Sequence, residues 1–124
     1  MKHYFLAITL IFISTFSFNS FSNDVITIET NKAPFYLGKK VIACGYVVQS
    51  KQFKGGVYLN FDSNYPNQSL TAILWKKALS DINHNLGTTN NLINKRLCVK
   101  GTIKNHKDNL QISINDAKSI WRDN

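Results

Sequence analysis

Two stretches of this chain echo one another: Lys39-Lys40-Val41-Ile42-Ala43-Cys44-Gly45-Tyr46-Val47 and Lys95-Arg96-Leu97-Cys98-Val99-Lys100-Gly101-Thr102-Ile103. Each sets a basic pair before a β-rich apolar run, carries one of the chain's two cysteines, and holds a glycine in mid-strand. Side chains of a strand alternate between faces. With Val41, Ala43 and Val47 toward a core, Cys44 points away from it; with Leu97, Val99 and Ile103 toward the core, Cys98 does the same. Directly opposite residues of neighbouring strands have adjacent Cβ atoms, so a Cys44–Cys98 disulfide between the two strands is geometrically reasonable. A slip of one residue would put the thiols on opposite faces. Glycine within a strand marks a bulge, a sharp bend or a close backbone approach.

The N-terminus bears on whether the thiols oxidise. Lys2 and His3 precede an apolar run over Tyr4 to Ile13, and Ser20-Phe21-Ser22 places small residues where a signal peptidase cuts. Ser14, Thr15, Ser17 and Asn19 interrupt the run too early for a membrane anchor, which needs about 20 apolar residues. Residues 1–22 are therefore expected to be a signal peptide and 23–124 a single domain, periplasmic or secreted, with no stable membrane insertion. No cysteine stands at the cut to carry a lipid. In an oxidising compartment two cysteines read as a disulfide, whereas a structural zinc site wants four closely spaced ligands. No metal or cofactor is expected.

Five strand-like segments follow, with one helical segment among them. Val41 to Gln49 is long and β-branched; Gln52 to Gly56 reads as a hairpin loop; Val57 to Asp62 alternates; Ser63 to Gln68 is a turn; Leu70 to Trp75 is a third strand. Trp75, Leu79 and Ile82 have helical spacing. Arg96 to Lys104 is a fourth strand, Asn105 to Asn109 a hairpin loop, and Leu110, Ile112 and Ile114 mark a fifth. Asp116 to Trp121 reads as a closing helix or turn, with Trp121 as a plug. Strand, strand, strand, helix, strand, strand is the order of a five-stranded OB-fold, a small all-β Greek-key barrel with a helix between strands three and four.

The residues Tyr36-Leu37-Gly38-Lys39-x-Val41-x-x-Cys44-Gly45-x-Val47, Tyr58-Leu59-Asn60-Phe61, Tyr65-Pro66-Asn67-Gln68 and Ile73 form a pattern, continued by Cys98-Val99-x-Gly101-x-Ile103, Lys107 and Gln111-Ile112. It resembles small exported bacterial OB-fold proteins of the nucleic-acid-binding superfamily, related to OB domains attached to secreted nucleases. The resemblance covers nearly all of residues 23–124 and implies binding. Asp62 and Asp108 stand where that pattern leads one to expect glycine, and Leu70 where it leads one to expect phenylalanine.

The charge balance points the same way. Residues 23–124 carry 14 Lys+Arg against 7 Asp+Glu, a surplus that attracts polyanions, although an Asn-, Lys- and Ile-rich composition raises the lysine count by itself. OB-folds that hold single strands combine a positive groove with aromatic platforms. With Val57, Leu59 and Phe61 inward, Tyr58 and Asn60 face out. Lys51, Lys54, Lys100, Lys104 and Lys107 complete the expected nucleic-acid set, with Phe53 and His106 nearby. No catalytic triad, carboxylate pair or Cys/His ligand spacing is present. The expected protein is a monomeric, non-catalytic binder of single-stranded DNA or RNA. The alternative is an envelope-stress or protein-interaction module that holds a protein or small ligand.

Overall fold

A computed structural model describes residues 10–14 and 24–124. The signal peptide expected over 1–22 lies, apart from residues 10–14, outside the described residues.

Eight strands and one α-helix form the domain: β1 (Thr27–Glu29), β2 (Lys40–Phe53), β3 (Gly56–Phe61), β4 (Leu70–Trp75), α1 (Lys76–Leu86), β5 (Arg96–Thr102), β6 (Lys104–His106), β7 (Asn109–Ile114) and β8 (Ile120–Arg122). The five expected strands correspond to β2, β3, β4, β5 and β7, with the helix where it was expected. The count of five is corrected to eight. The additions β1, β6 and β8 are three residues each, too short to leave a periodic signature.

The strand path is β6-β7-β4-β3-β2-β5-β8, with β1 on β2. It is not hydrogen-bonded into a closed ring. Residues 96–106 act as one run interrupted at Ile103: β5 pairs antiparallel with β2, and β6 with β7. At that seam Gly101 matters, because a Cβ there would stand 2.7 Å from Ile112 Cγ2. Its missing side chain lets β7 close onto β5. The parallel β4–β7 pairing (Thr71↔Gln111 to Leu74↔Ile114) brings β7 alongside β4. The result is an OB-like barrel left partly open.

β2 serves both halves of the barrel. Residues 40–46 pair with β5 and residues 47–53 with β3. The register shifts between Val47 and Gln49, so the side-chain parity inverts there: Val41, Ala43 and Val47 are buried, while Gln49, Lys51 and Phe53 face outward with Asn60 and Tyr58. The bend is thus a bulge three residues beyond Gly45. Gly45 answers a different need, since any Cβ there would collide with the Thr30 side chain, which is buried at the barrel end.

Val41, Val47, Leu59, Phe61, Leu70, Leu74, Leu97, Ile103, Ile112 and Ile114 fill the interior with no exposed surface. α1 lays Ala78, Ile82 and Leu86 against it, one helical face at i, i+4 and i+8, with Leu79 on its margin. Arg122 Nη2 donates to Leu86 O at 3.1 Å, a cation at the helix C-terminus. Trp121 is not a barrel plug: it pairs with Cys98 in β8, half-buried on the outer face, and Ile120 points inward instead.

Cys44 and Cys98 are directly opposite in the β2–β5 pairing and joined by a disulfide, with Cα atoms 4.1 Å apart. The bond lies on the outer face, yet both residues are buried. Arg96, on the same face, forms a two-pronged pair with Glu29 (2.6 and 2.9 Å) and donates Nε to Asp123 at 2.7 Å. Tyr46 stacks beneath its guanidinium, 5.8 Å from ring centroid to Cζ. The hydrogen bond from Arg96 holds the Glu29 carboxyl below its usual range, and its partners push the Arg96 guanidinium up. These ion pairs tie β1 and the C-terminal tail to the sheet.

Candidate functional site

The outer face of β2, β3, β4 and β7 carries a cleft of about 310 Å³ lined by Lys51, Tyr58, Asn60, Tyr65, Gln68, Thr71, His106, Asn109 and Gln111. That volume is at the low end for small-ligand sites, which span roughly 300–1,000 Å³. Strand register assembles it. Gln49, Asn60, Thr71 and Gln111 form one row across four strands; Lys51, Tyr58 and Ile73 form the next. No lining residue is acidic.

A chain of side-chain hydrogen bonds fixes the floor. Tyr65 N and Asn60 Nδ2 donate to Gln49 Oε1 at 2.9 and 2.8 Å. Thr71 Oγ1 donates to Asn60 Oδ1 at 2.7 Å. Gln68 Nε2 donates to Thr71 Oγ1 at 3.3 Å and to Asn109 Oδ1 at 3.0 Å. Asn109 Nδ2 closes the chain on the backbone carbonyl of Lys107 at 3.2 Å. Both ends rest on backbone groups, so the direction of every amide between them is determined. Gln68 Oε1 is buried without a partner, and the remaining bonds of the chain hold these side chains in place.

Aromatic rings make the walls. Phe53 stacks on Tyr58 with centroids 4.1 Å apart and planes 11° from parallel, and Trp75 meets Phe53 edge-on at 5.9 Å. One face of the Tyr58 ring is therefore spent on Phe53, which holds it in place beside the cleft. Tyr65 stands 61 % exposed on the opposite loop. A second, shallower groove on the far side of Phe53 is lined by Gln52, Lys54, Val57, Lys76 and Leu79.

Of the residues expected from sequence, Lys51, Tyr58 and Asn60 line the cleft. Asn60 is only 3 % exposed with both ends of its amide engaged, so it orients Gln49 and Thr71 and offers little of itself. Lys104 is exposed on the strand opposite Gln111, and Lys107 is in the adjoining turn. Lys54 belongs to the neighbouring groove. Lys100 is elsewhere, opposite Ile42 on the β2–β5 face that carries the disulfide. β3 and β4 contain no lysine or arginine, so no cationic stripe runs along the floor, and Lys51 is the one lysine among the lining residues. Sequence reasoning passed over Thr71, Asn109 and Gln111, and read Tyr65 to Gln68 chiefly as a turn. Thr71 and Gln111 had a signal: Thr71 is the one polar residue of an otherwise apolar strand, and Gln111 alternates with Leu110 and Ile112 at an outward position.

No protein-family model matches this chain, and no curated protein does. Solved structures do. A protein assigned as an aspartyl-tRNA synthetase from Leishmania major Friedlin is similar over 84 % of this chain with a TM-score of 0.56 and 9 % identity. This chain spans only 22 % of that protein's length. The OBodies AM1L10 and AM3L15, each bound to hen egg-white lysozyme, align over 78 % of this chain and 90 and 92 % of their own, with TM-scores of 0.54 and 0.55 and identities of 17 and 13 %. At such identities the likeness concerns the fold: the chain is an OB-like β-barrel.

Proposed function

We propose that this protein is an exported, non-catalytic OB-fold module that binds single-stranded nucleic acid across the outer face of β2, β3, β4 and β7. One observation carries the reading: a cleft walled by Tyr58 and Tyr65, floored by oriented amides, free of carboxylates among its lining residues, and edged by Lys51 and His106. Lys104 and Lys107 extend the positive rim, and the surplus of 14 Lys+Arg over 7 Asp+Glu in residues 23–124 adds a long-range attraction. Aromatic surfaces with a cationic border suit stacked bases and their phosphates. The disulfide suits an oxidising compartment, periplasmic or external. The proposed working state is a monomer without cofactor. Fluorescence anisotropy of a labelled single-stranded oligonucleotide at low and physiological salt tests the proposal: binding with a negative salt slope is expected, and no binding even at low salt refutes it.

A second reading has one observation in its favour. The cations are spread around the barrel and β3 and β4 hold none, which suits an envelope module that grips a protein or small ligand. That reading predicts binding insensitive to salt.

A further inference from the structure

The connection from β1 to β2 holds an apolar pair out into solvent at one end of the barrel. Thr30–Tyr36 is a 3₁₀ helix, in which residues three apart fall on one row. Thr30 and Ala33 are buried and Tyr36 packs on the core, so that row faces inward. Phe35 therefore points out, 76 % exposed and the most exposed large apolar side chain of residues 24–124, with Leu37, two residues on, at 50 %. The backbone behind them is tied down. Lys39 N donates to Tyr36 O at 3.0 Å, Gly38 N to Ile103 O at 2.7 Å, and Ile103 N to Lys39 O at 3.1 Å. Ile26, also exposed, stands at the same end, its carbonyl accepting from Ile42 N at 2.9 Å.

Lysines flank the pair. Lys32, Lys39, Lys40 and Lys104 are all exposed, and Lys104 follows Ile103, which the two backbone bonds hold against the loop. From Thr30 to Phe61 the chain carries no carboxylate. Of the acids bordering this stretch, Glu29 is paired with Arg96, Asp62 accepts from Thr30 Oγ1 at 2.7 Å, and Asp24 precedes Ile26. We propose that this tip docks the protein peripherally on a membrane surface bearing anionic phospholipid, with Phe35 and Leu37 entering the headgroup layer and the lysines meeting the phosphates. Interfacial binding draws on those two contributions together, buried apolar area and attraction to anionic headgroups. A protein partner fits the tip less well. A stable protein interface buries roughly 800 Å² a side, whereas neither cleft is lined by any residue from 24 to 40, so the loop offers an apolar point without a hollow. Aliphatic Leu37 beside Phe35 also suits hydrocarbon better than a stacked base.

The test is cosedimentation of the exported protein with vesicles of phosphatidylglycerol and phosphatidylcholine, against vesicles of phosphatidylcholine alone. The native protein is expected to partition about tenfold more strongly onto the anionic vesicles, less so as salt is raised. Phe35→Ser/Leu37→Ser is expected to lower that partitioning by about tenfold while leaving the thermal melt and oligonucleotide anisotropy unchanged, since both side chains are exposed and line neither cleft. Equal partitioning onto both vesicles, or none onto the anionic ones at low salt, overturns the proposal and leaves the nucleic-acid reading untouched. Anionic-vesicle binding that survives the double substitution overturns the assignment to this tip. Loss of oligonucleotide affinity in the variant with vesicle binding intact gives the tip to nucleic acid and overturns the proposal as well. The native comparison decides the matter even if the variant does not fold.

Discussion

Phe53 and Tyr58, on either side of the Lys54-Gly55 turn, stack with ring centroids 4.1 Å apart. The pair converts a surface tyrosine into a positioned one. Its ring is held before any ligand arrives, which lowers the ordering cost of binding. Tyr58→Ala is expected to weaken single-strand binding by about 1–3 kcal/mol, the value of one stacked base. Tyr58→Phe should retain most of the affinity, and Phe53→Ala should lower it by loosening the ring. Anisotropy titrations of the three variants check this, with circular dichroism to confirm folding.

The disulfide contributes chiefly to stability. It closes a loop of 54 residues, for which constraint of the unfolded chain is worth about 4 kcal/mol in the loop-entropy account. For a domain of this size that is a large share of the total. Cys44→Ala/Cys98→Ala is expected to unfold at markedly lower denaturant concentration. Non-reducing mass spectrometry of the exported protein should find no alkylatable thiol; two would contradict the register of β2 on β5.

The β6–β7 turn carries a local conflict. Lys107 and Asp108 have φ of +49° and +66°, and a two-residue hairpin with both φ positive favours Asn-Gly. Asp108→Gly is expected to stabilise the fold by about 0.5–1 kcal/mol by relieving the left-handed backbone. It also removes a negative charge beside the cleft rim, so affinity for the oligonucleotide should rise at low salt. Thermal melts and anisotropy on one variant read both effects.

Much of this design was legible before any coordinates. The odd-numbered apolar positions of the two cysteine strands placed both thiols on one outward face, and Cys44 does lie opposite Cys98. The expectation of glycine at 62 and 108 matches backbone φ of +70° and +66° there. What stayed hidden has physical reasons. The parity inversion between Val47 and Gln49 comes from a bulge, which β-branched Val47 and Val48 do nothing to announce. Thr30 crowding Gly45 and Ile112 crowding Gly101 are contacts between residues distant in sequence. The floor of the cleft draws on Gln49, Asn60, Gln68, Thr71 and Asn109, residues from four strands and the β3–β4 turn, and only the barrel's pairing brings them together.

The Arg96 cluster gives the fold a pH dependence. Folding lowers the Glu29 pKa through the hydrogen bond from Arg96. Such a group adds stability that is fully present above its unfolded pKa and fades as pH falls through the lower folded value. Stability should therefore decline below about pH 4.5. Glu29→Gln should flatten that part of the profile while costing less than about 1 kcal/mol at neutral pH, because the pair is exposed to solvent. Denaturant titrations between pH 3 and 7 compare the two proteins.

The central claim is where the ligand lies. An isotope-labelled sample titrated with unlabelled oligodeoxycytidine and followed by heteronuclear NMR tests it most directly. The side-chain amides of Gln68, Asn109 and Gln111 and the backbone amides of Lys51, Tyr58, Tyr65 and His106 are predicted to shift together, while those of Arg96, Lys100 and Trp121 on the disulfide face stay put. Shifts confined to the disulfide face, or none at saturating oligonucleotide, would contradict it.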